Sequence, residues 1–339
     1  MPHTIKDNIM FFSVPIGTQS ILRTVLAITC LGISLLGHAK TVEEIHFLIP
    51  GGAGGGWDTT ARGVGEALTK SGLLKSASYE NMSGGGGGKA IAHLIETAKQ
   101  QNKHTLMVNS TPIVVRYLYN VFPQSFRDLT PVAATIGDYG AFVVKSDSSF
   151  QHFTEVVAAF KKTPSAVKFA GGSPRGSMDH LVPAMAIKAA GGEPTQLRYV
   201  AYDAGGKAMA GLLSGEVDIL STGLSEALAL ESAGEVRILA MTGEQRSHSA
   251  THIPTLKELG IDTAFTNWRG FFARPGLPAA DKEKYISLLQ AMYKTAAWKE
   301  VQARYGWSEI FKPDDQFVQF LENQETTMKA LLLELGFMK

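Results

Sequence analysis

Short apolar runs alternate along this chain with stretches whose apolar residues recur every three to four positions. The first run, Ile45, Phe47, Leu48 and Ile49, stops at Pro50, and Ala61, Val64 and Leu68 then mark one face of a helix. The same reading predicts strands at Glu44–Ile49, Thr105–Asn109, Phe142–Lys145, Val167–Ala170, Leu197–Ala201, Val217–Thr222 and Ile238–Thr242. Helices are predicted to start near Asp58, Gly88, Ile113, Thr154, Met178, Gly206, Ser225, Ala280 and Gln316. Such alternation defines an α/β protein with mostly parallel sheets, of a size for about two domains.

The loops after the strands carry the polar and flexible residues. Five of the six residues after Pro50 are glycine, and Trp57 and Asp58 follow. A strand, a glycine loop and a helix N-terminus in that order bring backbone N–H groups and the positive end of the helix dipole to one place, which suits an anion. Asp58 reads as the helix N-cap, as a residue lining the pocket, or as both. Further polar loops follow the later strands: Asn109-Ser110-Thr111-Pro112, Gly171–His180 (GGSPRGSMDH), Ala201–Ala208 (AYDAGGKA) and Ser221-Thr222-Gly223. In open α/β sheets ligands sit beyond the carboxyl ends of strands, so loops from two sheets can face one cleft. Arg175 is either a carboxylate clamp or a solvated surface side chain. Asp203 either caps the next helix or orients a water in the pocket.

Neither glycine run is a nucleotide motif. In GGAGGGW, Trp57 stands where the third glycine of G-x-G-x-x-G belongs; in SGGGGGKA (Ser83–Ala90), Ser83 replaces the first P-loop glycine and Ala90 the Mg²⁺-holding Ser/Thr. No G-x-S-x-G elbow occurs. Ser173 and His180 are close in sequence, which by itself says little, and His180 reads as structural. The histidines lack metal-ligand spacing, so neither a metal nor a cofactor is expected.

The N-terminus and the charge balance set the compartment. Arg23, the uncharged run Thr24–Leu36 and Gly37-His38-Ala39 describe a signal peptide (1–39) cleaved after Ala39, with Met10 as an alternative start. The one cysteine, Cys30, leaves with it, and a cysteine-free remainder suits an oxidising compartment. A formal net charge of +1 gives no nucleic-acid surface. A soluble exported globular protein is expected, and nothing marks an oligomer, so a monomer is expected too.

Four ordered segments resemble the TctC (Bug-type) extracytoplasmic solute-binding proteins of tripartite tricarboxylate transporters. They are IPGGAGGGWDTTAR (Ile49–Arg62), NMSGGGGGKAIAHL (Asn81–Leu94), RYVAYDAGGKAMAGLLSGEVDIL (Arg198–Leu220), and VRILAMTGEQR followed by IPTLKELG (Val236–Arg246 and Ile253–Gly260). The resemblance implies a bilobal, type II-like periplasmic binding protein, a "Venus flytrap" of two α/β lobes. Lobe 1 would be 40–140 with 268–339 and lobe 2 141–267, with hinge crossings near Ile136–Phe142 and Thr263–Phe272. It also implies a periplasmic, non-enzymatic protein that holds a small organic carboxylate through loop N–H groups and ordered waters. The GGGWD form is similar to the branch associated with tricarboxylates such as citrate. The implied partners are the large and small membrane subunits of the transporter. By position, Gly51, Gly52, Ala53, Gly54, Gly55, Gly56, Trp57 and Asp58 form one wall of the cleft. Gly172, Ser173, Arg175, Gly176 and Ser177, with Ala204, Gly205 and Gly206, form the other; Ser110, Thr111, Asp203 and Thr222 come from the remaining loops. Pro174 and Arg175 are bulkier than their counterparts in many relatives. Two other readings stand beside this one: a periplasmic sensor that presents its ligand to a signalling receptor, and an exported hydrolase dependent on Ser173.

Overall fold

The central strands carry apolar side chains on both faces, and both faces are covered. Phe47, Ile49, Leu106, Val108 and Phe271 enter one core, whereas Leu48, Met107 and Phe272, their neighbours in sequence, enter another. That alternation explains why β1 reads as a continuous apolar run: helices pack on both sides of the sheet. The computed structural model describes Met1, residues 42–100 and residues 104–338. The expected signal peptide and its cleavage site lie outside the described residues.

One half of the structure contains β1 (Glu44–Ile49), β2 (Ser76–Asn81), β3 (Thr105–Ser110), β9 (Thr266–Ala273) and β10 (Ser308–Pro313). The other contains β5 (Lys168–Gly171), β6 (Arg198–Ala201), β7 (Ile219–Gly223) and β8 (Val236–Met241). The long strand β4 (Thr130–Lys145) belongs to both. It pairs with β9 from Thr130 to Tyr139 and with β7 from Gly140 to Val143. The result is the two-lobed α/β architecture expected from the sequence.

The expectation of mostly parallel sheets needs correction. The outer pairs β1–β2, β1–β3, β5–β6 and β5–β7 are parallel, but β9, β4, β10, β7 and β8 meet in antiparallel pairs. A chain that runs from one lobe to the other and back must send two strands past each other in opposite directions. The sequence pattern also missed β2, β9 and β10, the first part of β4, and one helix. β2 and β10 show no clean apolar alternation, being largely exposed or half-buried. The first part of β4 contains Pro131, Gly137 and Asp138, which read as turn residues, and β9 contains Arg269.

Ten helices are described: α1 (Gly56–Lys70), α2 (Gly88–Glu96), α3 (Pro112–Leu118), α4 (Phe153–Lys162), α5 (Met178–Ala189), α6 (Gly205–Leu213), α7 (Leu224–Ser232), α8 (Ala279–Met292), α9 (Ala296–Tyr305, the missed one) and α10 (Asp314–Glu334). α10 spans the two halves. Near its start Phe317 packs edge-on to Trp268 (ring centroids 5.6 Å apart), and at its end Glu334 pairs with Lys188 of α5 at 2.8 Å. Just beyond it Phe337 stacks on His180.

The two interlobe connections are tied together by one side chain. The buried Thr242 hydroxyl, just after β8, accepts the Gly140 N–H (2.7 Å) and donates to the Phe265 carbonyl (2.6 Å). It thus joins β4, where that strand changes partners, to the residue before β9. Thr242→Val keeps the shape but strands a buried N–H and a carbonyl. It is expected to lower unfolding free energy by about 1–3 kcal/mol, read by chemical denaturation; no loss would mean that the hydroxyl does not hold the crossing.

Candidate functional site

At the crossing, β4 and β9 each carry one charged residue among apolar ones. Asp138 and Arg269 are fully buried and paired, Nη2 to Oδ2 at 2.9 Å. Asp138 also accepts the Ser225 hydroxyl (2.6 Å) and backbone N–H (3.3 Å) at the start of α7, and Arg269 Nη1 reaches Thr60 Oγ1 of α1 at 3.2 Å. A helix from each lobe is therefore anchored to one ion pair. Gly56 makes room for it: a Cβ there would lie 2.1 Å from Arg269 Nη2.

Above this pair lies a cavity of about 680 Å³. Its walls include Gly51, Gly52, Gly55, Gly56 and Trp57 before and in α1, Ser83 and Gly84–Gly87 before α2, and Gly172, Ser173 and Ser177 before α5. Asp203, Ala204 and Gly205 line it at the start of α6, and Ser110, Arg116, Asp179, Glu226, Asn267 and Arg269 are also on the wall. The indole N–H of Trp57 donates to Ser110 Oγ at 3.0 Å, which fixes the ring against the glycine loop. Gly84, Gly85, Gly86 and Gly87 all have positive φ, from 58° to 142°. Only glycine holds four such residues in a row at little cost, and the loop bends around the cavity as a result.

Three helices begin at this space with no side-chain cap, and the Glu226 carboxylate is the side-chain group beside the starts of α1 and α6. The N-caps of α1, α2 and α6 are Gly55, Gly87 and Ala204, and none forms a side-chain cap. Their N-terminal N–H groups and dipoles converge on the cavity, an arrangement that favours negative charge.

Two carboxyl groups oppose that field. Burial, and next the nearby Glu226, push Asp179 up to about 7, against the Ser173 hydroxyl (2.7 Å) and Arg269. Burial likewise raises Glu226, with Arg269 pulling the other way. Glu226 Oε2 accepts the Thr222 hydroxyl and the Gly223 N–H (3.1 Å). Where protonated, each group has an O–H to donate.

Twelve of the residues expected in the site lie on the wall: Gly51, Gly52, Gly55, Gly56, Trp57, Ser110, Gly172, Ser173, Ser177, Asp203, Ala204 and Gly205. Eight do not. Ala53 and Gly54 are exposed at the loop crest. Asp58 is not the N-cap, because α1 begins two residues earlier; its buried carboxylate accepts the Gly54 N–H, Asn81 and Arg62, and so closes the loop from behind. Thr111 reaches Asn267, and Thr222 holds Glu226, each one step back from the cavity. Arg175 is exposed and turns back to the Tyr199 carbonyl at 3.0 Å. Gly176 is covered by Tyr119 and donates to His180 Nδ1 at 3.0 Å, and Gly206 faces open space. Asp203 lies at the mouth in an exposed pair with Lys207, and caps no helix.

Sequence reasoning missed Arg116, Asp179, Glu226, Asn267 and Arg269. A charged residue within an apolar strand or helix, as in TNWRGFFA or PIVVRYL, is the signal that marks the two arginines. Among the described residues Ser173 bonds to Asp179 and Ser177, not to His180. Burial, with Arg175 adding to it, lowers His180 to about 4. No described group of three His, Cys, Asp or Glu is placed to hold a metal, and no described helix is long and apolar enough to cross a membrane.

The fold and cleft are those of a two-lobed solute-binding protein. The family model for the tripartite tricarboxylate transporter family receptor, TctC, matches residues 61–337, and the chain belongs to that family. It is 25% identical over 305 residues to the BugT protein of Bordetella pertussis, which covers 87% of this chain and 90% of that one. Among the solved structures that share its fold are two from Rhodopseudomonas palustris. MatC of Rhodopseudomonas palustris with bound malate has a TM-score of 0.74 at 18% identity, covering 85% of this chain and 98% of that one. A second R. palustris protein, with adipate, has a TM-score of 0.76 at 19% identity, covering 86% and 97%.

Removing one partner of the buried Asp138–Arg269 pair leaves an uncompensated charge. Asp138→Asn is expected to cost about 3–5 kcal/mol of stability in chemical denaturation; a loss under about 1 kcal/mol would deny the pair its structural role. Asp179 carries a pH signature. Its folded value, about 7, lies above its ordinary value of 3.8, so the folded chain keeps a proton that the unfolded chain releases. Stability from this group is complete below about pH 4 and falls as pH rises to about 7. The stability of Asp179→Asn relative to the parent should therefore increase across that window and level off outside it. A flat difference would mean that Asp179 ionises normally.

Proposed function

We propose that this chain is an exported, periplasmic solute-binding protein that closes its two lobes around a small organic carboxylate. It then delivers that acid to the large and small membrane subunits of a tripartite tricarboxylate transporter. The observation that carries this reading is the convergence of three uncapped helix N-termini, from both lobes, on one cavity. They supply fixed partial positive charge, and the carboxyl groups of buried Asp179 and half-buried Glu226 add hydrogen-bond donors in their protonated forms. The family supports it, and so do neighbours of the same fold with bound malate and adipate. Within that class a tricarboxylate such as citrate is favoured by the GGGWD form of the first loop.

Closure is a rotation of 141–267 against 40–140 and 268–339 about the Gly140–Thr242 crossing. A closed cleft excludes bulk water, which strengthens every remaining electrostatic contact with the acid. Delivery then depends on the membrane subunits reading the closed outline.

A thermal-shift series with mono-, di- and tricarboxylates tests the proposal. An acid at 100 times its dissociation constant stabilises the folded chain by about 2.7 kcal/mol. A clear upward shift with citrate supports the tricarboxylate assignment. A shift with dicarboxylates alone keeps the carboxylate and discards the tricarboxylate, and no shift with any acid overturns the reading. Gly52→Val probes the wall itself, since a Cβ at Gly52 already lies 3.1 Å from the Ala204 Cβ across the cleft. The larger valine is expected to weaken acid binding at least about tenfold, or 1.4 kcal/mol, with little change in the melting temperature of the unliganded chain. Unchanged affinity would remove this loop from the site.

A further inference from the structure

The cavity wall contains one buried cation with no countercharge. Arg116, on α3, is only 4% exposed, and among the described residues it forms no ion pair. Its one hydrogen bond runs from Nη1 to the Arg175 carbonyl at 3.2 Å, in the opposite lobe. Nε and Nη2 are buried and have no protein partner among the described residues. Arg269 is the contrast: equally buried, it is neutralised by Asp138 at 2.9 Å.

An uncompensated guanidinium is costly to bury, and a fold that keeps one gains when an anion meets it. Nε–H and Nη2–H lie along the same edge of the planar group and point the same way, which is the geometry that grips both oxygens of one carboxylate. Gly86 packs its bare backbone against that edge: a Cβ there would lie 2.9 Å from Nε, and its φ of +63° already disfavours a side chain, so a carboxylate reaches the edge as the Gly84–Gly87 loop shifts aside. We propose that Arg116 binds a ligand carboxylate directly through its Nε–Nη2 edge, while Nη1 holds the other lobe. This rests on the carboxylate reading above, and it replaces a purely backbone and water-mediated grip by an ion pair at one end of the ligand. The arginine then has two jobs in one plane: the acid neutralises it, and the same group fastens the closed cleft at Arg175. An acid with a second carboxylate places it toward the converged N-termini of α1 and α6.

The test is isothermal titration with citrate, malate and adipate on the parent protein, Arg116→Gln and Arg116→Lys. Arg116→Gln is expected to bind the tightest acid on the order of 100-fold more weakly, and Arg116→Lys, which keeps the charge without the two-pronged edge, about tenfold more weakly. The unliganded melting temperature of Arg116→Gln should be equal to the parent's or higher, because a buried unpaired charge has gone. A merely structural arginine would instead lower it and leave affinity alone. Gln affinity within threefold of the parent overturns the proposal while sparing the carboxylate reading. The ligand side gives an independent answer if the variants fold poorly: the parent should discriminate strongly against a monoamide of its tightest acid. Equal binding of acid and both monoamides overturns the proposal. A parent that binds none of the acids removes the carboxylate reading and this proposal together.

Discussion

The buried pair of Asp138 and Arg269 is the contact on which the rest of this structure depends. It sits where the chain passes between lobes, one residue on each crossing strand, and it carries a helix from each side: α7 through Ser225 and α1 through Thr60. A charge pair at this depth is a poor source of net stability compared with apolar packing, but it is intolerant of displacement. It therefore specifies how the first turns of α1 and α7 stand relative to the hinge. Gly56 is the local consequence, since the guanidinium occupies the volume that any side chain would need.

From that anchor the electrostatics of the cleft follow. α1 starts above Arg269, and its uncapped first turn lines the cavity together with the starts of α2 and α6. The lobes thus contribute positive ends of dipoles, fixed in place before any ligand arrives. Glu226 and Asp179 share the cavity wall, and burial holds their protons to higher pH than usual. Arg116 adds a full charge on the buried wall of the cavity, where the helices supply fractions.

Much of this was legible in the sequence wherever local chemistry decides structure. The glycine loop at Gly51–Gly56, the helix behind it and the loops at Gly172 and Ala204 are determined by backbone freedom and helix-start signals, and all but the loop crest at Ala53 and Gly54 bring their first residues to the wall. Asp58 was legible as a residue that binds backbone N–H groups but not as a loop brace, because its position two residues into the helix depends on where Gly56 enters. Arg175 stood out as a glycine-loop arginine, yet it folds back on Tyr199, and its carbonyl, not its charge, serves the cleft by holding Arg116. The first part of β4 was hidden by Pro131, Gly137 and Asp138, and β9 by Arg269; the two charges mark their strands locally, but that each neutralises the other across 131 residues leaves no local trace. Asp179 and Glu226 share that opacity, since their meaning comes from the cavity and not from their neighbours in sequence, whereas Arg116 is marked by its apolar helix but not by what it faces.

The most direct test of the account is a crystal structure of the protein with the acid that stabilises it best. The acid is expected between the lobes, with one carboxylate on the Nε–Nη2 edge of Arg116 and the remainder against the first turns of α1 and α6. An acid bound outside the cleft, or a carboxylate in the cleft that leaves both the Arg116 edge and those helix starts untouched, would contradict it.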